Sequence, residues 1–302
     1  MPASAKKSAR KRGAWYWVRL LTVAGIAGLV LYFQGTIYLL TRPARSTVCC
    51  QTPADSGFAY EDVTLIASDG VTLAGWYIPS QNGAAVILLH GYGGNRLGTW
   101  FQAQALARAG YGVLLYDARA SGESGGNRRS FGWQDSADVP AAIAFLQARP
   151  EVDAHRIGML GASTGGEITL NAAAQNEALR AVLVDGVGFA VGADIPPPAT
   201  LRERIMHPAF PLLFAVMSWQ LGIPQPPPIS QVIHRIAPRP LLLVSTGSGL
   251  EKRQNEMYYN LAGEPKEHWN VPDAWHGSLP QTHPEAYAQR IVAFFDQWLL
   301  AP

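Results

Sequence analysis

The chain has 302 residues, 48% of them hydrophobic, and carries a formal net charge of +2 with only 15% charged residues. That length and apolar content suit one large α/β domain plus a short extension. The basic residues that cluster do so at the N-terminus and not along an aromatic-rich groove, which argues against nucleic acid as a partner.

Residues 1–17 hold the basic run Lys6, Lys7, Arg10, Lys11 and Arg12. Leu20 to Leu40 carries no charge and three clearly polar side chains, Thr22, Gln34 and Thr36. As a helix it spans about 30 Å, the thickness of a bilayer core. Trp15, Tyr16 and Trp17 mark one interface, with Arg19 near enough to snorkel, and the basic run outnumbers Arg42 and Arg45 on the far side. The expectation is a single-pass anchor over residues 18–40 in the plasma (inner) membrane. Its N-terminus is expected in the cytoplasm and the remaining chain on the extracytoplasmic side. A cleaved secretory signal competes with this reading, but the apolar run is longer than a usual signal core and no A-x-A-like site follows it. Residues 41–57 read as a linker. Its adjacent Cys49 and Cys50 are expected to be free or paired between molecules, because neighbouring Cα atoms about 3.8 Å apart fall short of ordinary disulfide geometry.

Residues 58–302 carry a globular pattern. Val63–Ile66, the turn Ser68-Asp69-Gly70 and Val71–Trp76 predict a hairpin. Apolar runs then alternate with helix-length segments: Ala85–Leu89 with Leu97–Ala109, Gly112–Tyr116 with Trp133–Gln147, and Ile157–Leu160 with Glu167–Gln175. Ala181–Val184, Leu241–Val244 and His268–Val271 add further strands, and Pro284–Leu300 a closing amphipathic helix. Such alternation predicts a parallel sheet with helices on both faces. It lapses over about 186–238, where Pro196–Pro198 and Pro226–Pro228 bracket an apolar stretch that includes Phe210, Phe214, Met217 and Trp219. The stretch is read as a small helical cap, with ordinary packing of the last helices as the competing reading.

The chemistry concentrates at Gly161-Ala162-Ser163-Thr164-Gly165, between a strand and a helix. A serine at such a turn holds its hydroxyl clear of the backbone, and small neighbours let adjacent chain pass, so Ser163 is the candidate nucleophile. His90-Gly91-Tyr92-Gly93-Gly94 ends another strand, where main-chain amides can turn toward a substrate carbonyl. The candidate oxyanion donors are the amides of Tyr92 and of Thr164, the residue after the nucleophile. The side chain of His90 is read as loop-positioning. The serine needs a base, and His276, on a short loop after the last strand, is preferred. His155 precedes the nucleophile's strand on the wrong side of the sheet, and His283 adjoins Pro284 like a helix-start residue. The orienting acid must fall between serine and histidine in the chain. Glu251 is the first acidic residue after the strand Leu241–Val244, and Asp185 at the end of the preceding strand is its main rival. Glu256 is placed on a helix and Asp273 in the histidine's own loop. Asp117, Arg119 and Glu123 read as loop braces, and Glu167 as a first-turn helix residue.

Together with Leu88–Arg96, Tyr116–Gly125 and Val271–His276, the turn at Ser163 resembles the α/β-hydrolase superfamily from about Tyr60 to Leu300. Among its branches the chain looks most like the membrane-anchored, serine-aminopeptidase-like and dienelactone-hydrolase-like proteins. The resemblance implies the α/β-hydrolase fold, an eight-stranded, mostly parallel sheet, a Ser-acid-His triad and no cofactor or metal. Two departures stand out. The usual aspartate after the seventh strand is absent, which leaves the acid to Glu251 or another residue, and the usual Arg-Gly pair reads Arg119-Ala120. The expected activity is that of a membrane-tethered serine hydrolase, first a carboxylic ester hydrolase, with thioesterase or peptidase action open. Its substrate is expected to be a small molecule or acyl compound, acting through an acyl-enzyme. A non-catalytic, membrane-tethered binding protein on the same scaffold is the alternative, against which the intact serine, histidine and glycine loop argue.

Overall fold

Strands β3 (Ala85–Leu89), β4 (Gly112–Tyr116), β5 (Ile157–Ala162), β6 (Ala181–Asp185) and β7 (Leu241–Thr246) are buried almost throughout, which is why their apolar runs do not alternate. The structure is a computed structural model that describes residues 3–42, 44–247 and 249–301. Pro43 of the expected linker and Ser248 of the turn before Glu251 lie outside the described residues, as do the side chains of residues 3–14 with the basic run. Among the described residues, β1 (Glu61–Ile66), β2 (Thr72–Ile78) and β8 (Lys266–Val271) complete an eight-stranded sheet in the order β1-β2-β4-β3-β5-β6-β7-β8. The pairs β1–β2 and β2–β4 are antiparallel and the rest parallel. This is the α/β-hydrolase fold with its mostly parallel sheet.

Successive strand residues serve opposite faces, as the two-residue period of a strand requires. Ile87, Leu89, Met159 and Val182 pack with α3 (Val139–Gln147), α4 (Thr164–Ala173) and α8 (Leu250–Leu261). Val86, Leu88, Leu160 and Leu183 pack with α2 (Trp100–Arg108) and α10 (Pro284–Phe295). The helix expected over 133–147 begins only at Val139, because Asp135–Ala137 forms a 3-10 turn whose Asp135 accepts a hydrogen bond from Ser130 Oγ at 2.9 Å. The segment expected to start at Glu167 starts at Thr164, directly after the serine. The closing helix changes to a π turn over Asp296–Leu300.

Between β6 and β7 the chain forms α5 (Leu201–Met206), α6 (Ala209–Leu221) and α7 (Ile229–Val232). Buried Asp194 closes this excursion onto the body: its carboxylate accepts from the amides of Ile229 and Ser230 at 2.8 and 3.0 Å and from Ser230 Oγ at 2.6 Å. The amides are the otherwise unpaired first turn of α7, whose end favours negative charge. A short helix, α9 (Leu279–Thr282), precedes α10.

The N-terminal helix α1 (Ala3–Thr41) is long and apolar enough over Trp15–Thr41 to cross a membrane, a test of length and composition that a signal sequence also passes. Its last turn is not free of the domain. Ile37 is buried against a cluster that includes Trp133, Phe214 and Met217, the Arg129 amide donates to Thr41 O at 2.8 Å, and Tyr92 Oη donates to Leu40 O. The cysteines correct the expectation of unlinked thiols. Cys49 and Cys50 are joined to each other, their Cα atoms 3.2 Å apart and so closer than the spacing of about 3.8 Å on which the expectation rested.

Candidate active site

Strand β5 delivers Ser163 to the carboxyl edge of the sheet, and α4 leaves from the next residue. Ser163 has φ 52° and ψ −123°, a conformation a side chain rarely adopts. The turn closes because its neighbours are glycines: a Cβ on Gly161 would stand 2.1 Å from Gly165 O, and one on Gly165 would stand 2.3 Å from Leu89 O. Gly91 makes room for the serine itself, since a Cβ there would stand 3.0 Å from Ser163 Cβ.

His276 comes from the loop after β8 and Glu251 from the first turn of α8. Ser163 Oγ donates to His276 Nε2 at 3.0 Å, and His276 Nδ1 donates to Glu251 Oε2 at 2.7 Å. The other carboxylate oxygen, Oε1, accepts from the Thr246 amide at 2.7 Å and Thr246 Oγ1 at 2.8 Å. Burial alone would raise the Glu251 pKa, but the bonds from His276 and Thr246 and the histidine's charge outweigh it and hold the carboxyl below its ordinary value. The bond to Glu251 raises the His276 pKa against the opposing effect of burial, with the charges of Glu251 and Asp185 adding to the rise. The imidazole is therefore held by its Nδ1 side and leaves Nε2 toward the serine.

The two amides named from the sequence both flank Ser163. Thr164 is the first residue of α4, where helix amides have no partner within the helix and the dipole favours negative charge. Tyr92 follows Gly91, which lies against the serine. Among the described residues neither amide is bonded to another protein group. The Tyr92 side chain stacks on Phe131, with ring centroids 4.9 Å apart, and Arg129 lies over its ring at 5.6 Å.

The remaining groups occupy other places. Buried His90 donates from Nδ1 to Gly91 O at 2.7 Å and accepts the Ala118 amide at Nε2, so it ties two loops together, and burial lowers its pKa. Asp117 is bonded to Arg96 and to the Glu123 amide, and Arg119 bridges Asp69 and Asp138. His283 caps α10 and stands 3.4 Å from Asp273, and exposed His155 lies before β5 at the opposite edge of the sheet. Asp185 is drawn elsewhere, accepting Tyr287 Oη at 2.5 Å, while Gln102 Nε2 donates to the same hydroxyl at 3.0 Å. Burial pushes the Asp185 pKa up to about 6 and that of buried Glu167 to about 8. Among the described residues no group of three or more His, Cys, Asp or Glu is placed to hold a metal ion.

The sequence reading missed Gly186. Its φ is +65°, and a Cβ there would stand 2.9 Å from the His276 ring, so this glycine makes room for the imidazole. The signal was a glycine directly after a strand-ending aspartate. It also missed the contacts of Arg129, Phe131 and Leu40 with Tyr92, which join residues too distant in the chain for any local pattern to report.

The model of the X-Pro dipeptidyl-peptidase (S15) family matches residues 69–190. The "uncharacterized protein YfhR" of Escherichia coli O157:H7 is 29% identical over 245 residues, covering 78% of this chain and 80% of YfhR. Among solved structures, the Pyrococcus furiosus esterase Pf2001 superposes with a TM-score of 0.69 at 26% identity, covering 85% of this chain and 99% of the esterase. The Pseudomonas aeruginosa protein PA2218 does so with 0.67 at 24% identity, covering 85% and 100%. The chain belongs to the α/β-hydrolase superfamily. This α/β-hydrolase is thus similar to an esterase along nearly the whole of that enzyme, and the peptidase-family match spans the segment that includes both Tyr92 and Ser163. The protein is a hydrolase-type enzyme.

Proposed function

We propose that the protein is a serine hydrolase, held to a membrane by α1, that cleaves an ester, thioester or amide through an acyl-enzyme. The observation that carries this reading is the continuous hydrogen-bonded line from Ser163 Oγ through His276 to Glu251. His276 Nε2 takes the hydroxyl proton as Oγ attacks the substrate carbonyl carbon. The carbonyl oxygen becomes an oxyanion, which the Tyr92 and Thr164 amides stabilise; one such donor contributes about 3 kcal/mol to lowering the barrier. The protonated His276 passes its proton to the leaving group, the bond to that group breaks, and Ser163 is left acylated. Water then attacks the ester with His276 again as base, which releases the acid and restores the serine. Glu251 holds the imidazole in the tautomer that exposes Nε2 and stabilises the imidazolium formed at each stage.

An ester is the first substrate class, in keeping with the likeness to Pf2001. A second reading, peptidase action on an amide after proline, is favoured by the match to the S15 family model. The anchor is placed over residues 18–40, with the basic residues before it in the cytoplasm and the catalytic domain across the membrane. Labelling with a fluorophosphonate tests the central claim. The parent chain is expected to label and Ser163→Ala to stay blank; labelling that survives the substitution removes Ser163 from the mechanism. Turnover of p-nitrophenyl esters against X-Pro p-nitroanilides separates the two substrate classes.

A further inference from the structure

Helix α6 has no charged residue along its length. Its inner side buries Phe214 and Met217, but its outer side is apolar as well: Leu212 is 51% and Trp219 74% exposed, with Ala215 exposed between them. A surface helix ordinarily sets charged or polar residues against water, and one that is apolar all round belongs in a core or a membrane. The face continues onto α5, where Leu201 and Ile205 are 74% and 64% exposed beside exposed Arg202 and Arg204. An exposed apolar area of this kind calls for an occupant.

The end of α1 says which occupant. Helix α1 packs on α6 and buries Ile37 against Phe214 and Met217. Its last turn is bonded to Tyr92 and Arg129, so no spacer separates the apolar helix from the domain. The 27 residues Trp15–Thr41 make a helix of about 40 Å, longer than the roughly 30 Å hydrocarbon core, so a spanning α1 carries its last turns through the interface with α6 beside them. Trp219 then lies where membrane proteins concentrate tryptophan, and Arg202 and Arg204 lie where lipid phosphates are found.

The candidate site adjoins the end of α1, since Tyr92, which follows the Gly91 that lies against Ser163, is bonded to Leu40 O. Its rim carries Tyr92, Leu250 beside Glu251, and Trp275 beside His276, all exposed. A cavity of about 730 Å³ runs from α5 and α6 to Leu250 at the start of α8, its walls combining apolar Phe189, Met206, Phe210 and Leu250 with charged Arg202 and Glu203. That volume lies in the range of small-molecule sites.

We propose that the outer face of α5 and α6 seats in the leaflet into which α1 emerges, and that the enzyme takes an acyl ester of a membrane lipid from that leaflet, with the acyl chain in the α5–α6 cavity. The inference rests on the serine-hydrolase reading above and adds the source of the substrate. It is tested on the full chain in phosphatidylcholine vesicles with two esters of one leaving group, p-nitrophenyl acetate in the water and p-nitrophenyl palmitate in the bilayer. The double variant Leu212→Asp, Trp219→Asp is expected to hold acetate turnover within about twofold and to lower palmitate turnover about tenfold or more, since each charge opposes seating. Brominated phosphatidylcholine is expected to quench a component of the tryptophan emission that is absent from Trp219→Phe. An unchanged palmitate-to-acetate ratio in the double variant, a parent enzyme that turns over acetate alone, or a Trp219 component untouched by bromine would overturn the proposal, as would crosslinking that finds the α6 face covered by a second copy. The quenching needs no catalysis. Bromine quenching without fluorophosphonate labelling would therefore overturn the substrate half through the parent reading while the seating of the cap stood.

Discussion

The carboxyl edge of the sheet and the α5–α6 cap are both rich in apolar residues and poor in charge, yet they use that composition differently. Along β3 to β7 the apolar side chains are covered by helices on both faces, and the candidate site's polar groups at the strand ends are held by partners, as Glu251 is by Thr246 and His276. On the cap, the side chains that point away from the sheet have no cover within the described residues. Composition alone therefore does not separate a covered interior from an exposed apolar surface. What separates them is whether the rest of the chain supplies the cover. The proposed function assigns chemistry to the first region and the proposed seating assigns selection of substrate to the second, so substitutions at the sheet edge should affect every substrate alike.

Ser163→Ala should produce the largest effect. Removing the nucleophile of a triad costs kcat on the order of 10⁶-fold, and here the loss should be of that order on soluble and bilayer-borne esters equally. A loss confined to one of them would break the division between the regions. Glu251→Gln should come next, at about 10²- to 10⁴-fold in kcat with KM little changed, because the amide can favour the wrong tautomer and no longer balances the imidazolium.

The pH profile sharpens the same point. In the proposed role of base His276 must be neutral, and its pKa is raised chiefly by the bond to Glu251. The proton must be lost before turnover, so kcat/KM should climb with pH through a midpoint above the ordinary histidine value of about 6.5. In Glu251→Gln the main cause of the rise is gone and burial still opposes charge, so the midpoint of the residual activity should move down. A midpoint that stays in place would mean that Glu251 is not the group that sets it.

Much of this edge was legible because it is written in short-range terms. Ala85–Leu89 and Gly112–Tyr116 are strands at the residues expected, since continuous apolar runs between polar turns leave little else for them to be. β8 begins at Lys266, two residues before the expected His268, because an edge strand tolerates Lys266 and Glu267 on its partly exposed faces. The start of α4 was misjudged by three residues, as Thr164-Gly165-Gly166 has poor helix propensity and is helical only because the turn at Ser163 and the packing of Gly165 on Leu89 O demand it. Ser163, His276 and Glu251 were named from order and motif, and they lie within hydrogen bonds of one another. The bonds of α1 to Tyr92 and Arg129 were not legible, because they join elements some 50 to 90 residues apart through main-chain oxygens, which every residue possesses.

The glycines test how tightly the edge is built. Gly165→Ala would place a methyl 2.3 Å from a backbone oxygen that cannot step aside. It should lower stability by about 2 kcal/mol, read as a fall of several degrees in Tm. Ala215→Gly on the cap, where no packing is expected to be lost, should cost only about 1 kcal/mol of helix propensity.

Asp185→Asn should give the smallest effect, and it discriminates between the two carboxylates at this edge. Asp185 is buried, its pKa is pushed up to about 6, and its bonded oxygen accepts from Tyr287, whose hydroxyl in turn accepts from Gln102. Its charge still contributes to the raised pKa of His276, though less than Glu251 does. An asparagine can accept the same bond from Tyr287 through its amide oxygen, so kcat should fall by less than about tenfold, and the pH midpoint should drop by less than in Glu251→Gln. Were Asp185→Asn to cost more than Glu251→Gln, Asp185 would be the acid that orients the histidine. The 2.7 Å bond to Glu251 would then be a resting arrangement that substrate binding replaces.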